Sequence, residues 1–347
     1  MSSNSFFSDS EMITGHGDDR YQHPDIRINF SSNVNPNGIN SHLTDHLKDC
    51  IKGIGSYPEP LARNLAEMIG LKRNLPDGSV FITNGSVEAF YLIAALLTQK
   101  RSLIYTPSFS EYADACKAFG HELVFCDNSS FPDVLLDRID AVWICNPNNP
   151  DGKFFDNQIL QKQIEQHPAT LFILDEAYLD FTSEKRSLAE EAGHLQNLVV
   201  INSFTKRYAI PGLRLGYLVS HPDRVRKIQK QVMPWRISTL AIEAGLFCLS
   251  EKCRDEFRIQ ELLKESRRVQ TAINRINGFR VHPSETLFFL VEGPVKAAVL
   301  KQKLARDHQI LIRDASNFRG LSAFHFRISV QLPEENNILI NVLDTWK

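Results

Sequence analysis

Between residues 79 and 220, short apolar, β-branched runs alternate with longer stretches of helical periodicity. The runs at 80–83, 103–105, 142–145, 171–174 and 198–202 are continuous enough to be strands buried on both faces. Residues 87–97 have the length and composition of a helix. That alternation predicts an α/β sheet with mostly parallel strands. Further on, residues 239–276 read as amphipathic helix, with Arg254, Arg258, Arg267 and Arg268 on a solvated face. At 347 residues the chain is long for one core, so two domains are expected.

Composition narrows the partners. A net charge of -2 gives no case for nucleic acid or a membrane surface. No apolar run approaches the ~18 residues of a membrane span. The first ten residues lack the basic region and apolar stretch of a signal peptide and read as a flexible arm. Six cysteines are scattered without a C-x-x-C pair, so buried structural thiols in a reducing, cytoplasmic setting are expected, and no zinc or other metal site is expected.

In a parallel α/β sheet, ligands bind beyond the carboxyl ends of the strands, so the residues after each run matter most. The 80–83 run is followed by Asn84-Gly85-Ser86. Gly85 permits close backbone approach and Ser86 suits an N-cap, making this helix start either a phosphate site or a plain cap. After 103–105, Phe109 is either a plate for a flat heterocycle or an aromatic packed into the core at a helix start. After 142–145, Pro147, Pro150 and Gly152 stiffen a turn that holds Asn149.

Asp175 ends the 171–174 run, where a carboxylate is costly unless paired. A pyridine nitrogen is a suitable partner, because the carboxylate keeps it protonated; a helix cap is the structural alternative. Tyr178, three residues on, is placed to reach the phenolic oxygen of such a ring. Lys206 follows the 198–202 run, with Ser203 and Thr205 before it and Arg214 eight residues after. A desolvated lysine favours the neutral amine that condenses with an aldehyde. Hydroxyls and a guanidinium are donors that suit a phosphate. Amine and phosphate cradle together point to pyridoxal 5'-phosphate (PLP) held as a Schiff base. A lone lysine is far more often a solvated surface residue. It is the convergence of five strand ends that carries the reading.

With these residues the chain resembles the fold type I PLP enzymes, the aminotransferase class I/II superfamily, from His16 to about Val330. Within it the likeness is to the histidinol-phosphate aminotransferase branch and the threonine-phosphate decarboxylases. The resemblance implies a large PLP domain at 56–231 with a mostly parallel seven-stranded sheet. It implies a smaller α/β domain at 232–347, completed by an N-terminal arm within 1–55. Lys206 would bond the cofactor, Asp175 would pair with the ring nitrogen, Asn149 and Tyr178 would contact the ring oxygen, and Phe109 would cover the ring. Gly85, Ser86, Ser203, Thr205 and Arg214 would hold the cofactor phosphate, with Tyr57 reaching across a homodimer interface.

Toward substrate, Arg327 in Phe326-Arg327-Ile328-Ser329 matches the carboxylate-binding arginine, and Arg313, fourteen residues earlier, a second substrate position. His16 and Gly17 in Gly15-His16-Gly17 resemble a phosphate-binding arm. Asn33 matches the contact residue of the loop at 29–38. Asp151 departs from the usual threonine, and Asp18 and Asp19 add negative charge beside the arm. The implied activity is decarboxylation of threonine phosphate for the aminopropanol linker of cobalamin. Its competitors are a transaminase acting on a phosphate-bearing substrate and a non-catalytic regulator that keeps the fold. The complete set of Lys206, Asp175, Asn149 and Arg214 argues against the regulator.

Overall fold

The structure, a computed structural model, describes residues 18–183, 186–253 and 257–346. His16, Gly17 and Arg254 lie outside the described residues. The order begins with strand β1 (Ile28–Asn29) and helices α1 (Ser41–Cys50) and α2 (Arg63–Arg73). Strand β2 (Val80–Thr83) and helix α3 (Gly85–Leu96) come next, then β3 (Arg101–Thr106), α4 (Glu111–Ala118), β4 (Glu122–Asp127) and β5 (Ala141–Cys145). Helix α5 (Asn157–Gln166), β6 (Leu171–Asp175), α6 (Ala189–His194), β7 (Leu198–Ser203), β8 (Gly216–Ser220) and α7 (Pro222–Gln229) complete this part. Among the described residues these strands form one seven-stranded sheet in the order β2-β8-β7-β6-β5-β3-β4. Strands β4, β3, β5, β6 and β7 are parallel, and β8 runs antiparallel between β7 and β2.

Alternation along the strands sends side chains to two cores. Val142, Ile144, Phe172, Leu174 and Val200 face one layer with Leu65, Leu160 and Leu188. Trp143, Ile173, Val199 and Ile201 face the other, with Phe90, Ile93 and Tyr112 of α3 and α4. Strands buried on both faces are the reason these runs are continuously apolar.

The helical region expected over 239–276 is two helices, and only the second is amphipathic. Helix α8 (Thr239–Leu249) buries Ala241, Ile242, Ala244 and Phe247 and packs against α1 and α2, so apolar residues surround it rather than forming one face. Gly245 permits that approach: a Cβ there would meet Leu65 Cδ2 at 2.6 Å. Helix α9 (Ile259–Asn274) is the amphipathic part, with Leu263, Val269 and Ile273 inward and Arg267 and Arg268 solvated. Arg258, just before it, is solvated too.

Strands β9 (Arg280–Val281) and β10 (Phe288–Glu292), helix α10 (Ala297–His308), strands β11 (Ile310–Leu311), β12 (Arg313–Asp314) and β13 (His325–Ser329), and helix α11 (Pro333–Asp344) finish the chain. A four-stranded antiparallel sheet, β12-β13-β10-β9, carries a core of Phe289, Val291, Phe326 and Ile328 against α9, α10 and α11. Strand β1 pairs in parallel with β11, which ties the N-terminal segment to this part.

Candidate active site

The parallel strands all end at one edge of the large sheet, and β8 begins there, because Gly216 pairs with both Thr83 and Ser203. A cavity of about 210 Å³ opens at this edge. It is lined by Asp175, Tyr178, Ser203, Thr205, Lys206 and Arg214, together with Asn33, Ser86, Phe109, Asn149 and Arg327. Eleven of the residues singled out from sequence thus meet in one place.

At the end of β6, Asp175 is buried. The Tyr112 hydroxyl donates to its Oδ2 at 2.6 Å, and the Ala177 amide donates to Oδ1 at 3.0 Å. Burial pushes this carboxyl above its usual range; the Tyr112 and Ala177 hydrogen bonds and the Lys206 charge oppose that only in part. A short 3-10 turn, not an α-helix, follows, so the cap reading of Asp175 gives way to that of a desolvated acid in need of a cation. Tyr112 was not anticipated. It reaches the site from α4, and burial together with Asp175 holds its phenol far above the usual range.

Lys206 Nζ sits 5.3 Å from the centre of the Tyr178 ring. Its turn is clamped by the N-terminal segment: the Asn35 amide donates to the Lys206 carbonyl at 2.8 Å, and Asn35 Nδ2 donates to the Arg207 carbonyl at 3.0 Å. The Thr205 amide donates to Ser203 Oγ at 3.1 Å, which closes the preceding turn.

The expected phosphate cradle depends on close backbone approach. Gly85 has φ +73°, and a Cβ there would lie 2.3 Å from Arg214 Nη2. Gly216 leaves equally little room, since its Cβ would fall 2.8 Å from the Gly85 carbonyl carbon and 2.9 Å from the Ser86 nitrogen. Arg214, itself at φ +54°, donates to the Pro211 carbonyl at 3.1 Å. The expected N-cap at Ser86 is corrected: Asn84 is the cap residue, its amide held by the Glu88 carboxylate at 2.7 Å. Ser86 falls inside the first turn, where its own amide is one of the free N-terminal donors.

Arg327 is buried between the two halves of the site. It donates to Asn149 Oδ1 and to the Ser31 carbonyl, each at 2.5 Å. Burial lowers its pKa to about 10. Arg313 is its directly opposed partner on β12, and burial lowers this guanidinium as well. Arg313 does not line the main cavity. It lines a neighbouring one of about 60 Å³, donates to Asn317 Oδ1 at 3.1 Å, and shares Phe109 with the main site. Phe109 meets Tyr112 and Phe90 edge-on, so it is both cavity wall and core aromatic. Both side-chain atoms of Asn33 are buried without a hydrogen-bond partner. An orphaned amide beside a desolvated carboxylate and a guanidinium cradle fits a polar, phosphate-bearing ring.

Tyr57 is not in the cavity. It is 84% exposed and packs on Trp235 with ring centres 5.1 Å apart. Asp151, the departure in the Asn149 turn, accepts from Asn148 Nδ2 at 2.7 Å and from the Lys153 amide at 3.0 Å, bracing the turn from within. Asp18 lines the cavity and accepts from Asn29 Nδ2 at 3.1 Å, while Asp19 pairs with Lys301.

The model of the family "Aminotransferase class I and II" matches residues 26–343. Threonine-phosphate decarboxylase of Salmonella typhimurium is 29% identical over 332 residues, covering 92% of this chain and 91% of that protein. Histidinol-phosphate aminotransferase of Caldanaerobacter subterraneus subsp. tengcongensis is 28% identical over 346 residues, covering 96% and 97%. The crystal structure of L-threonine-O-3-phosphate decarboxylase from Porphyromonas gingivalis superposes with a TM-score of 0.89 at 38% identity, covering 92% of this chain and 99% of that one.

Proposed function

The chain belongs to the aminotransferase class I and II family, which is PLP-dependent, and on that premise we propose that it decarboxylates L-threonine O-3-phosphate to (R)-1-aminopropan-2-yl phosphate. Such a product would serve as the aminopropanol linker of cobalamin. The enzyme would act in the cytoplasm as a homodimer.

The observation that carries the reading is the pair of buried guanidinium groups, Arg313 and Arg327, opposed across β12 and β13 beside the Lys206 cavity. Two desolvated guanidinium groups side by side suit a substrate with two anionic ends, and threonine phosphate brings both a carboxylate and a phosphate. Histidinol phosphate has no carboxylate, so in a transaminase only the keto acid would engage a carboxylate-binding arginine, whereas threonine phosphate presents both anions in one molecule. The 38% identity to the P. gingivalis decarboxylase supports the same choice.

Bound here, PLP supplies an electron sink for a bond broken at the substrate's Cα. Lys206 would carry the cofactor, and its amine would be the group that returns a proton to the substrate Cα. Asp175, held by Tyr112, would keep the ring nitrogen protonated. Asn149 and Tyr178 would hold the ring oxygen and Phe109 would cover the ring. Gly85, Ser86, Ser203, Thr205 and Arg214 would seat the cofactor phosphate, with Tyr57 of the other subunit. Arg327 would take and orient the substrate carboxylate. Arg313, with His16, Gly17 and Asn33, would take the substrate phosphate.

Steady-state kinetics of two variants test these roles. Removing one partner of a desolvated charge pair costs about 2–5 kcal/mol. Arg313→Ala should therefore impair threonine phosphate severely and unphosphorylated threonine much less, while Arg327→Ala impairs both. Equal losses on the two substrates for Arg313→Ala would contradict the assignment.

A further inference from the structure

Away from the Lys206 cavity, His46 and Cys50 on α1 converge with Glu243 on α8. Cys50 Sγ lies 3.5 Å from His46 Nε2 and 3.8 Å from Glu243 Oε2, and that Nε2 lies 3.5 Å from the same Oε2. The three edges make a nearly equilateral triangle. In a tetrahedral zinc site, bonds of ~2.3 Å to sulfur and ~2.0–2.2 Å to nitrogen and oxygen set the donor atoms roughly 3.3–3.7 Å apart. The triangle has the size of one face of that tetrahedron. We propose that His46, Cys50 and Glu243 bind a borderline-soft divalent cation, zinc by type, with water in the fourth position.

Local structure builds the triad. His46 and Cys50 are four residues apart and so lie one above the other on the same helix face. Glu243 and Phe247 have the same spacing on α8, so one face of that helix supplies both a ligand and a support. The His46 ring stacks on Phe247, with centres 4.7 Å apart and planes 24° apart, while its Nε2 meets the other two donors. Imidazole, thiolate and carboxylate are all zinc ligands. Without a cation, burial and the Glu243 charge raise the Cys50 thiol above its usual range, so it holds its proton. A divalent ion reverses the sign of that field and binds the thiolate as the proton leaves. His46 and Glu243 keep 30% and 36% of their side-chain surface exposed, which leaves an entry path and room for the water.

A second trio, His282, Glu292 and His325, lacks these properties. There His325 Nδ1 accepts the Ser322 amide at 3.1 Å, which leaves the proton of the neutral ring on Nε2. Glu292 is already paired with Arg280 at 2.6 Å. The cysteine pattern could not reveal the first site, because its ligands come from two helices whose residues are 193 positions apart.

Equilibrium dialysis of the chelator-treated holoenzyme against zinc, with metal analysis, tests the proposal. One zinc per chain is expected. Affinity should fall at least tenfold in Cys50→Ser and in Glu243→Gln, and should be unchanged in His282→Ala. Zinc should raise the Tm of the wild type and leave that of Cys50→Ser unmoved. Should a variant fail to fold, the wild type still decides: zinc should slow alkylation of Cys50, read peptide by peptide in the mass spectrometer. No stoichiometric zinc, an affinity unaltered in Cys50→Ser, or alkylation of Cys50 at one rate with and without zinc would each overturn the site.

Discussion

Asp175 joins the strongest demands made on any residue of the cavity: full burial, a short hydrogen bond from Tyr112, and a carboxyl whose proton is hard to remove. Its raised pKa has a stability consequence with a definite sign. The folded protein holds the proton above the reference value of 3.8, where the unfolded chain has lost it, so folding weakens as pH rises from there to the folded pKa. Above that window the penalty is complete. Asp175→Asn should therefore stabilise the cofactor-free protein at neutral pH, with the gain shrinking as pH falls toward 3.8. The same variant should lose roughly 10²–10³-fold in kcat, since the carboxylate that would keep the ring nitrogen protonated is gone. Thermal melts across pH and steady-state rates check the two halves. A gain over the wild type no larger at pH 7 than at pH 4 would show that burial is not what sets this carboxyl.

At the scale of elements, the cradle depends on β8 running antiparallel into the start of α3. Gly216 faces only backbone there, so its neighbours cannot swing aside. Gly216→Ala should cost about 1–3 kcal/mol in a denaturant titration and loosen PLP retention in the same protein. Unchanged stability would mean that β8 and α3 can separate without loss. This edge was largely legible in the sequence. Strands buried on both faces are continuous apolar runs, and in a parallel sheet their last residues share one edge, which brings Asn149, Asp175 and Lys206 together from sequence alone. Tyr112 was not legible, because it enters from the buried face of α4 and no spacing signals which side of a helix meets a strand end. The cap moved from Ser86 to Asn84 because the Glu88 carboxylate takes the Asn84 amide, a choice made by a side chain four residues away. The break between α8 and α9 was hidden by continuous helical composition. His16, Gly17, Tyr57 and Arg313 rested on resemblance alone, and Tyr57 and Arg313 stand outside the main cavity.

For the molecule as a whole, the N-terminal segment links the two larger of the three sheets among the described residues. It pairs β1 with β11, passes its Ser31 carbonyl to Arg327, and clamps the Lys206 turn through Asn35. Tyr57 points away from this assembly, exposed beside Trp235, with Ile54 and Met233 exposed as well. If Tyr57 completes the cavity of a second copy, chains carrying Tyr57→Phe and chains carrying Lys206→Ala should yield active heterodimers when co-expressed. A fully active monomer by light scattering would exclude that arrangement. The central claim, that the two arginines and Lys206 serve decarboxylation, is tested most directly by incubating the PLP-bound protein with L-threonine O-3-phosphate and no keto acid. Carbon dioxide should be released in step with aminopropanol phosphate. Transfer of the amino group from histidinol phosphate to a keto acid, with no carbon dioxide from threonine phosphate, would contradict it.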